Sequence, residues 1–258
     1  MLKAVAFDMD DTLLSLNLNA FMVTLARDEA SLLAQVGRKN RLSMLTTYTA
    51  ALLEVNGPAA DDDRRTNRER FDAVIEQRGG VPLSDPVIAD VLEYYEREIL
   101  PDRNDAIIAA RPREGGREAL DCVLGRGLRI ALLTNPSFSH TCIRCRMGWA
   151  KIADAPFELV TCMENSTRCK PFASYYTESL DKLGLAPEEV LMVGNDPKRD
   201  FPDAEIGLQS AYVGNGSPAR ATWSGSMADF AASFDEIEQR FYERQERDLP
   251  DTGQDVRA

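Results

Sequence analysis

Hydrophobic positions along the chain fall into two patterns. Five short runs are apolar without alternation: Lys3–Phe7, Leu128–Thr134, Phe157–Thr161, Val190–Gly194 and Ser210–Gly214. Runs of this kind suit strands of a parallel sheet covered on both faces. Between the last four, the spacing predicts helices over Ser137–Ala150, Ser174–Leu183 and Phe201–Ile206. Strand and helix alternating at this interval predict βαβ units and an α/β fold built on an open parallel sheet.

The second pattern fills the interval after the first strand. Leu18, Phe21, Met22, Leu25, Leu32, Leu33 and Val36 recur at helical spacing. A further helix over Leu42–Val55 is stopped by Gly57-Pro58. Thr66 with Glu69 forms a capping-box pattern that opens a helix ending at Gly79. Asp85-Pro86 opens another that runs to Pro101. Consecutive amphipathic helices pack as a bundle, so 16–111 reads as a helical domain inserted into an α/β core made of 1–15 and 112–242. Asp61–Arg65 reads as a solvated loop. The charged stretch 243–258, with Pro250 and Gly253, is expected to be a disordered tail.

Composition narrows the partners rather than the fold. With 258 residues, 44% hydrophobic and 28% charged, the chain has globular proportions. A formal net charge of −12 repels nucleic-acid backbones and anionic lipid, and no basic patch offsets it. Neither nucleic acid nor membrane is therefore an expected partner. The polar MLKAVAFDMDD start does not fit a secretory signal. The five cysteines do not form an even disulfide framework, so a reducing cytoplasm is the expected setting. Cys142, Cys145, Cys162 and Cys169 beside His140 invite a zinc reading. Cys142 and Cys145 share one face of a predicted helix, however, which favours ordinary packing thiols. Tyr175 and Tyr176 likewise read as packing groups.

Ligands of open parallel sheets bind beyond the carboxyl ends of the strands. Leaving those ends are Asp8, Asp10 and Thr12, then Thr134 and Asn135, then Lys170, then Asn195, Asp196 and Asp200. So many carboxylates at one edge repel each other unless a divalent cation holds them, and an all-oxygen donor set favours Mg²⁺. A cation, a lysine and small hydroxyl or amide groups make a cradle for a phosphoryl group.

In order along the chain, FDMDDTLL (Phe7–Leu14), LLTNP (Leu132–Pro136), CKP (Cys169–Pro171) and VGNDPKRD (Val193–Asp200) resemble the four motifs of the haloacid dehalogenase superfamily. The resemblance spans the core from residue 3 to about 214, and the insertion occupies the place of that family's helical C1 cap. It implies a Rossmann-like core and a phosphatase acting on a small-molecule phosphate ester. By the same resemblance Asp8 is the nucleophile and Asp10 the general acid and base. Lys170 balances charge, and Thr12, Thr134, Asn135 and Lys170 bind the phosphoryl group. Asp8, the Asp10 backbone carbonyl and Asp196 hold Mg²⁺, with Asp200 in support. Other readings on the same fold are a 2-haloacid dehalogenase, a phosphomutase and a non-catalytic ligand-binding relative. Asp10 argues against the dehalogenase, which needs no second aspartate. Asp11 stands where many relatives have glycine; in an extended segment it is expected to point away from Asp8 and Asp10.

Overall fold

The computed structural model describes residues 1–60 and 62–248. Its centre is β1 (Ala4–Phe7), flanked in parallel by β4 (Arg129–Leu132) and β6 (Val190–Gly194). With β5 (Leu159–Val160), β7 (Gln209–Val213) and β8 (Ala221–Gly225) they form one parallel sheet in the order β5-β4-β1-β6-β7-β8. Side chains alternate across the pleat. Ala4 and Ala6 join a core layer with Tyr175, Tyr176 and Leu180, while Val5 and Phe7 join the opposite one with Phe230, Phe234 and Phe241. Burial on both faces is the reason these strands read as unbroken apolar runs.

Helices α1 (Leu18–Val36), α2 (Arg41–Asn56), α3 (Asn67–Val74) and α4 (Pro86–Tyr94) fill the interval after β1. Both bonds of the Thr66–Glu69 capping box are present, and Asp85 caps α4. Ala30, Leu33, Met44, Tyr48, Phe71 and Ile88 give these helices a core of their own. The chain enters and leaves this region through β2 (Leu14–Ser15) and β3 (Arg111–Pro112), which pair antiparallel. The first half of α1 packs elsewhere, for Phe21 and Leu25 belong to the core beneath the sheet.

Around the sheet lie α5 (Gly116–Gly125), α6 (His140–Trp149), α7 (Ala173–Leu183), α8 (Met227–Phe230) and α9 (Phe234–Asp248). Two expectations fail. Phe201–Ile206 is not a helix but a loop with one 3-10 turn at Ala204–Ile206, ended by Gly207 in the left-handed region at φ 78°. The segment from Glu243 is helical as far as Asp248, because α9 is anchored upstream by Phe234, Ile237 and Phe241. Residues 249–258 of the expected tail, and Asp61 of the expected loop, lie outside the described residues. The rest of that loop is tied down: buried Arg168 donates to the carbonyls of Ala60 and Asp63 at 2.7 and 3.0 Å.

Buried acids join the helical region to the sheet region. Glu29 of α1 accepts from the Tyr48 hydroxyl at 2.7 Å, and Glu96 accepts from the Ser139 hydroxyl at the head of α6 at 2.5 Å. The two carboxyls also contact each other. Burial pushes Glu29 up to about 7, against the pull of the Tyr48 and Glu96 hydrogen bonds and of Arg68. Burial, then the Glu29 charge, carries Glu96 well above the usual carboxylate range. Both raised values mean that the folded protein binds more protons than the unfolded chain above about pH 4.5. Stability should therefore fall as pH rises from about 5 to 8, by an amount on the order of 3 kcal/mol. Glu96→Gln keeps a donor toward Glu29 and an acceptor for Ser139, so it should flatten part of that slope. Urea unfolding across this pH range checks it; parallel slopes for the variant and the wild type would refute a contribution of the Glu29–Glu96 pair to the pH dependence.

Candidate active site

The residues that follow β1, β4 and β6, with Lys170 from the loop before α7, meet at one edge of the sheet. Asp8, Asp10, Asp11, Asn135, Lys170, Asp196 and Asp200 line a cavity of about 300 Å³, to which α1 adds Leu18. The Asp8 amide donates to the Val193 carbonyl at 2.8 Å, which continues the β1–β6 ladder and fixes the nucleophile candidate at the strand end. Lys170 Nζ donates to Asp8 Oδ1 at 2.8 Å and to Asp200 Oδ1 at 2.6 Å, with all three side chains largely buried. Asp200 Oδ2 accepts from the Asp196 amide at 2.9 Å. Both Asp200 oxygens are thus engaged, so this residue braces the loop that carries Asp196. Asp196 is half-exposed and faces the cavity.

The electrostatics of this group are unbalanced. Burial pushes Asp8 up to about 7; Lys170 partly offsets this, while Asp200 and Asp10 add to it. Burial alone would lower Lys170, yet Asp200 and Asp8 carry it well above its ordinary range. The cavity wall thus sets five aspartates, Asp8, Asp10, Asp11, Asp196 and Asp200, against Lys170 and Arg199, the latter 3.9 Å from Asp196, and remains net negative.

Thr12 and Thr134 are buried and do not line the cavity. The Thr12 hydroxyl donates to Asn195 Oδ1 at 3.3 Å and lies 3.5 Å from Asp8 Oδ2. Asn135 Oδ1 accepts from the Lys170 amide at 3.1 Å, while its Nδ2 donates to Asn56 of α2 at 2.9 Å. Tyr175 and Tyr176 underpin the site loops: their hydroxyls donate to the carbonyls of Thr134 and Arg199, respectively.

Asp11 departs from expectation. It sits in the left-handed region at φ 55° and lines the cavity with Asp8 and Asp10. A turn, not an extended strand, carries this residue, and aspartate is one of the few side chains that enter that region readily. Burial, then Asp10, raises its carboxyl, with Arg113 opposing.

The family profile of the haloacid dehalogenase-like hydrolases matches residues 2–204. The chain belongs to this family. As a haloacid dehalogenase-like hydrolase, it is 24% identical over 213 residues to N-acetylmuramic acid 6-phosphate phosphatase of Pseudomonas aeruginosa, across 82% of this chain and 81% of that one. Among solved structures, β-phosphoglucomutase from Clostridium difficile matches with a TM-score of 0.55 and 18% identity, over 96% of this chain and 100% of that chain. A HAD phosphatase from Thermococcus onnurineus gives 0.54 and 15%, over 90% and 98%. At these identities the structural likeness is one of fold.

One site residue of this hydrolase was missed from sequence. Arg146 of α6 is wholly buried and ion-paired with Asp10. The ion-pair partner of Asp10 is thus a guanidinium from α6, an element that none of the four motifs includes. The available signal was an arginine three and four residues beyond Ile143 and Cys142, on the buried face of a helix, where charge is rare unless paired. The cysteines are unpaired thiols, with Cys142, Cys162 and Cys169 buried.

Proposed function

We propose that this hydrolase is a Mg²⁺-dependent phosphatase cleaving a small soluble phosphate monoester through an aspartyl-phosphate on Asp8. The observation that carries the reading is the placement of Asp8: buried at the end of β1, held by Lys170, and sharing its cavity with Asp10. Similarity to a relative named as a phosphatase of a phosphate monoester supports the substrate class. Asp8 attacks phosphorus while Asp10 protonates the departing alcohol oxygen; Asp10 then takes a proton from the water that opens the aspartyl-phosphate. Lys170 neutralises charge on Asp8 and the transferring group, and charge neutralisation with positioning carries most of such a transfer. Asn135 lines the cavity, and its Nδ2 would reach the phosphoryl oxygens by giving up a bond to Asn56 or Ser137. Thr12 acts from behind by holding Asn195, and the Thr134 carbonyl anchors the loop after β4 by accepting from Thr161 and Tyr175.

The donor set fits a hard divalent cation. Asp8 is raised even beside Lys170, and the cavity wall offers carboxylate and amide oxygens. Asp8, the Asp10 carbonyl and Asp196 would hold Mg²⁺, which supplies the missing positive charge at the phosphoryl oxygens when bound. Among the described residues, no three acidic, histidine or cysteine side chains form a cage by themselves. We further propose that 16–111 acts as a cap over a core of 1–15 and 112–242, with Leu18 in the cavity wall and Asn56 bonded to Asn135 and Ser137.

Phosphate release from a panel of metabolite phosphates, with and without chelator, tests this. Chelation should lower turnover by roughly tenfold or more, restored by Mg²⁺. Turnover indifferent to chelation would remove the metal from the reading. Halide release from 2-haloacids without phosphatase activity would replace it with dehalogenation.

A further inference from the structure

The acid-base candidate has a support that no family motif contains. Arg146 is fully buried, and its Nη2 pairs with Asp10 Oδ1. The guanidinium carbon lies 4.9 Å from the Phe21 ring centre and 5.1 Å from that of Phe138. Phe21 in turn packs edge-on against Phe138 and Trp149, at 5.4 and 5.9 Å. The arginine is thus clamped by aromatic faces rather than by a net of hydrogen bonds; Nε and Nη1 have no partner among the described residues.

A buried arginine with unmatched N–H groups is a poor way to stabilise a core. An apolar side chain of similar volume would serve as well or better. What an apolar residue cannot do is orient a carboxyl group. Lys170 is committed to Asp8 and Asp200, so the two aspartates of the DMD segment are assigned different cations on different elements. Pairing to Arg146 takes one oxygen of Asp10 and leaves the other for the contents of the cavity. Of the two rings, Phe21 comes from α1 and Phe138 from the loop after β4, so both regions of the fold set the position of this carboxyl.

We infer that Arg146, clamped between Phe21 and Phe138, is the positioning residue that holds the free oxygen of Asp10 toward the leaving group. The inference rests on the phosphatase reading for its chemistry. In the first step the Asp10 O–H bond breaks, and its proton goes to the alcohol oxygen as that oxygen receives the electron pair of the breaking P–O bond. Arg146 then keeps the resulting carboxylate in register to take a proton from the attacking water.

The test compares nitrophenyl phosphate, whose leaving group needs no proton, with an alkyl phosphate, whose leaving group does. Arg146→Met and Arg146→Lys should lose roughly 30- to 100-fold in kcat on the alkyl ester, with KM little altered, and several-fold less on the nitrophenyl ester. Phe21→Leu, a mild core change expected to fold, should show the same bias to a smaller degree. Equal losses on both esters in every variant would make Arg146 merely structural and overturn the inference. Should the Arg146 variants fail to fold, the ester ratio of Phe21→Leu decides, and an unaltered ratio counts against it. Should the wild type cleave neither ester, the phosphatase reading fails, and crystal structures of wild type and Phe21→Leu judge the positioning directly. One Asp10 conformer in the first and several in the second supports it; the same single conformer in both overturns it.

Discussion

Asp8→Asn should lower phosphate-ester turnover by roughly 10³-fold or more while leaving the fold intact. The amide is a poor nucleophile and a weaker cation ligand, so both proposed roles are lost at once. Stability should move the other way. Asp8 is raised to about 7 because burial disfavours its carboxylate, so as pH rises from the ordinary carboxylate range to about 7 the folded protein loses stability there, first by holding a proton and then by bearing an unfavourable charge. Asparagine removes that charge and still offers Lys170 an oxygen. The variant should therefore unfold at about the same urea concentration as wild type near pH 4, and at an equal or higher one at pH 8, the gap opening between the ordinary carboxylate range and about 7. A wild-type rate would refute Asp8 as nucleophile; a large fall in stability would give it a structural role instead.

Lys170→Met should have the largest effect on stability. The ammonium group bridges Asp8 and Asp200, and all of them are buried. Removing one member of such a set leaves uncompensated buried charge, at a cost of about 3–5 kcal/mol. The loss should depend on pH. At pH 5 Asp8 can take up a proton in place of its lost partner, so destabilisation should be smaller there and full at pH 8. Urea denaturation at both values measures this, and a variant as stable as wild type at pH 8 would contradict it. Turnover should collapse as well, because nothing else in the cavity wall balances Asp8 in this way.

The two predictions concern residues that were legible from sequence, and for a physical reason. A strand buried on both faces leaves an unbroken apolar run, so the polar residue that ends it stands out; Asp8, Asn135 and Asn195 all follow such runs. Capping residues at Thr66 and Asp85 marked helix starts because their bonds are local. What escaped depends on contacts remote in sequence. Arg146 meets Asp10, and Glu96 meets Glu29 and Ser139, through side chains on separate elements. No local spacing records such pairs. Asp11 escaped because a left-handed residue is a backbone property that an aspartate only weakly announces. In β8 polar residues blur the period, as in ATWSG, whereas Phe234, Ile237 and Phe241 of α9 recur at helical spacing and form its buried face.

The parallel pairing of β1 bears on how the chain is made. Ala4 lies beside Arg129 on one side and Val190 on the other. On a ribosome adding about 5–20 residues each second, the first strand therefore waits on the order of ten seconds for any neighbour. Meanwhile α1 to α4 emerge with a core of their own in Leu33, Met44, Tyr48 and Phe71, and can fold through near-neighbour contacts. The nascent chain thus carries a folded helical body behind an apolar, unpaired AVAF segment. This N-terminal segment is where a chaperone would be needed, and where arrested synthesis would expose the chain to aggregation.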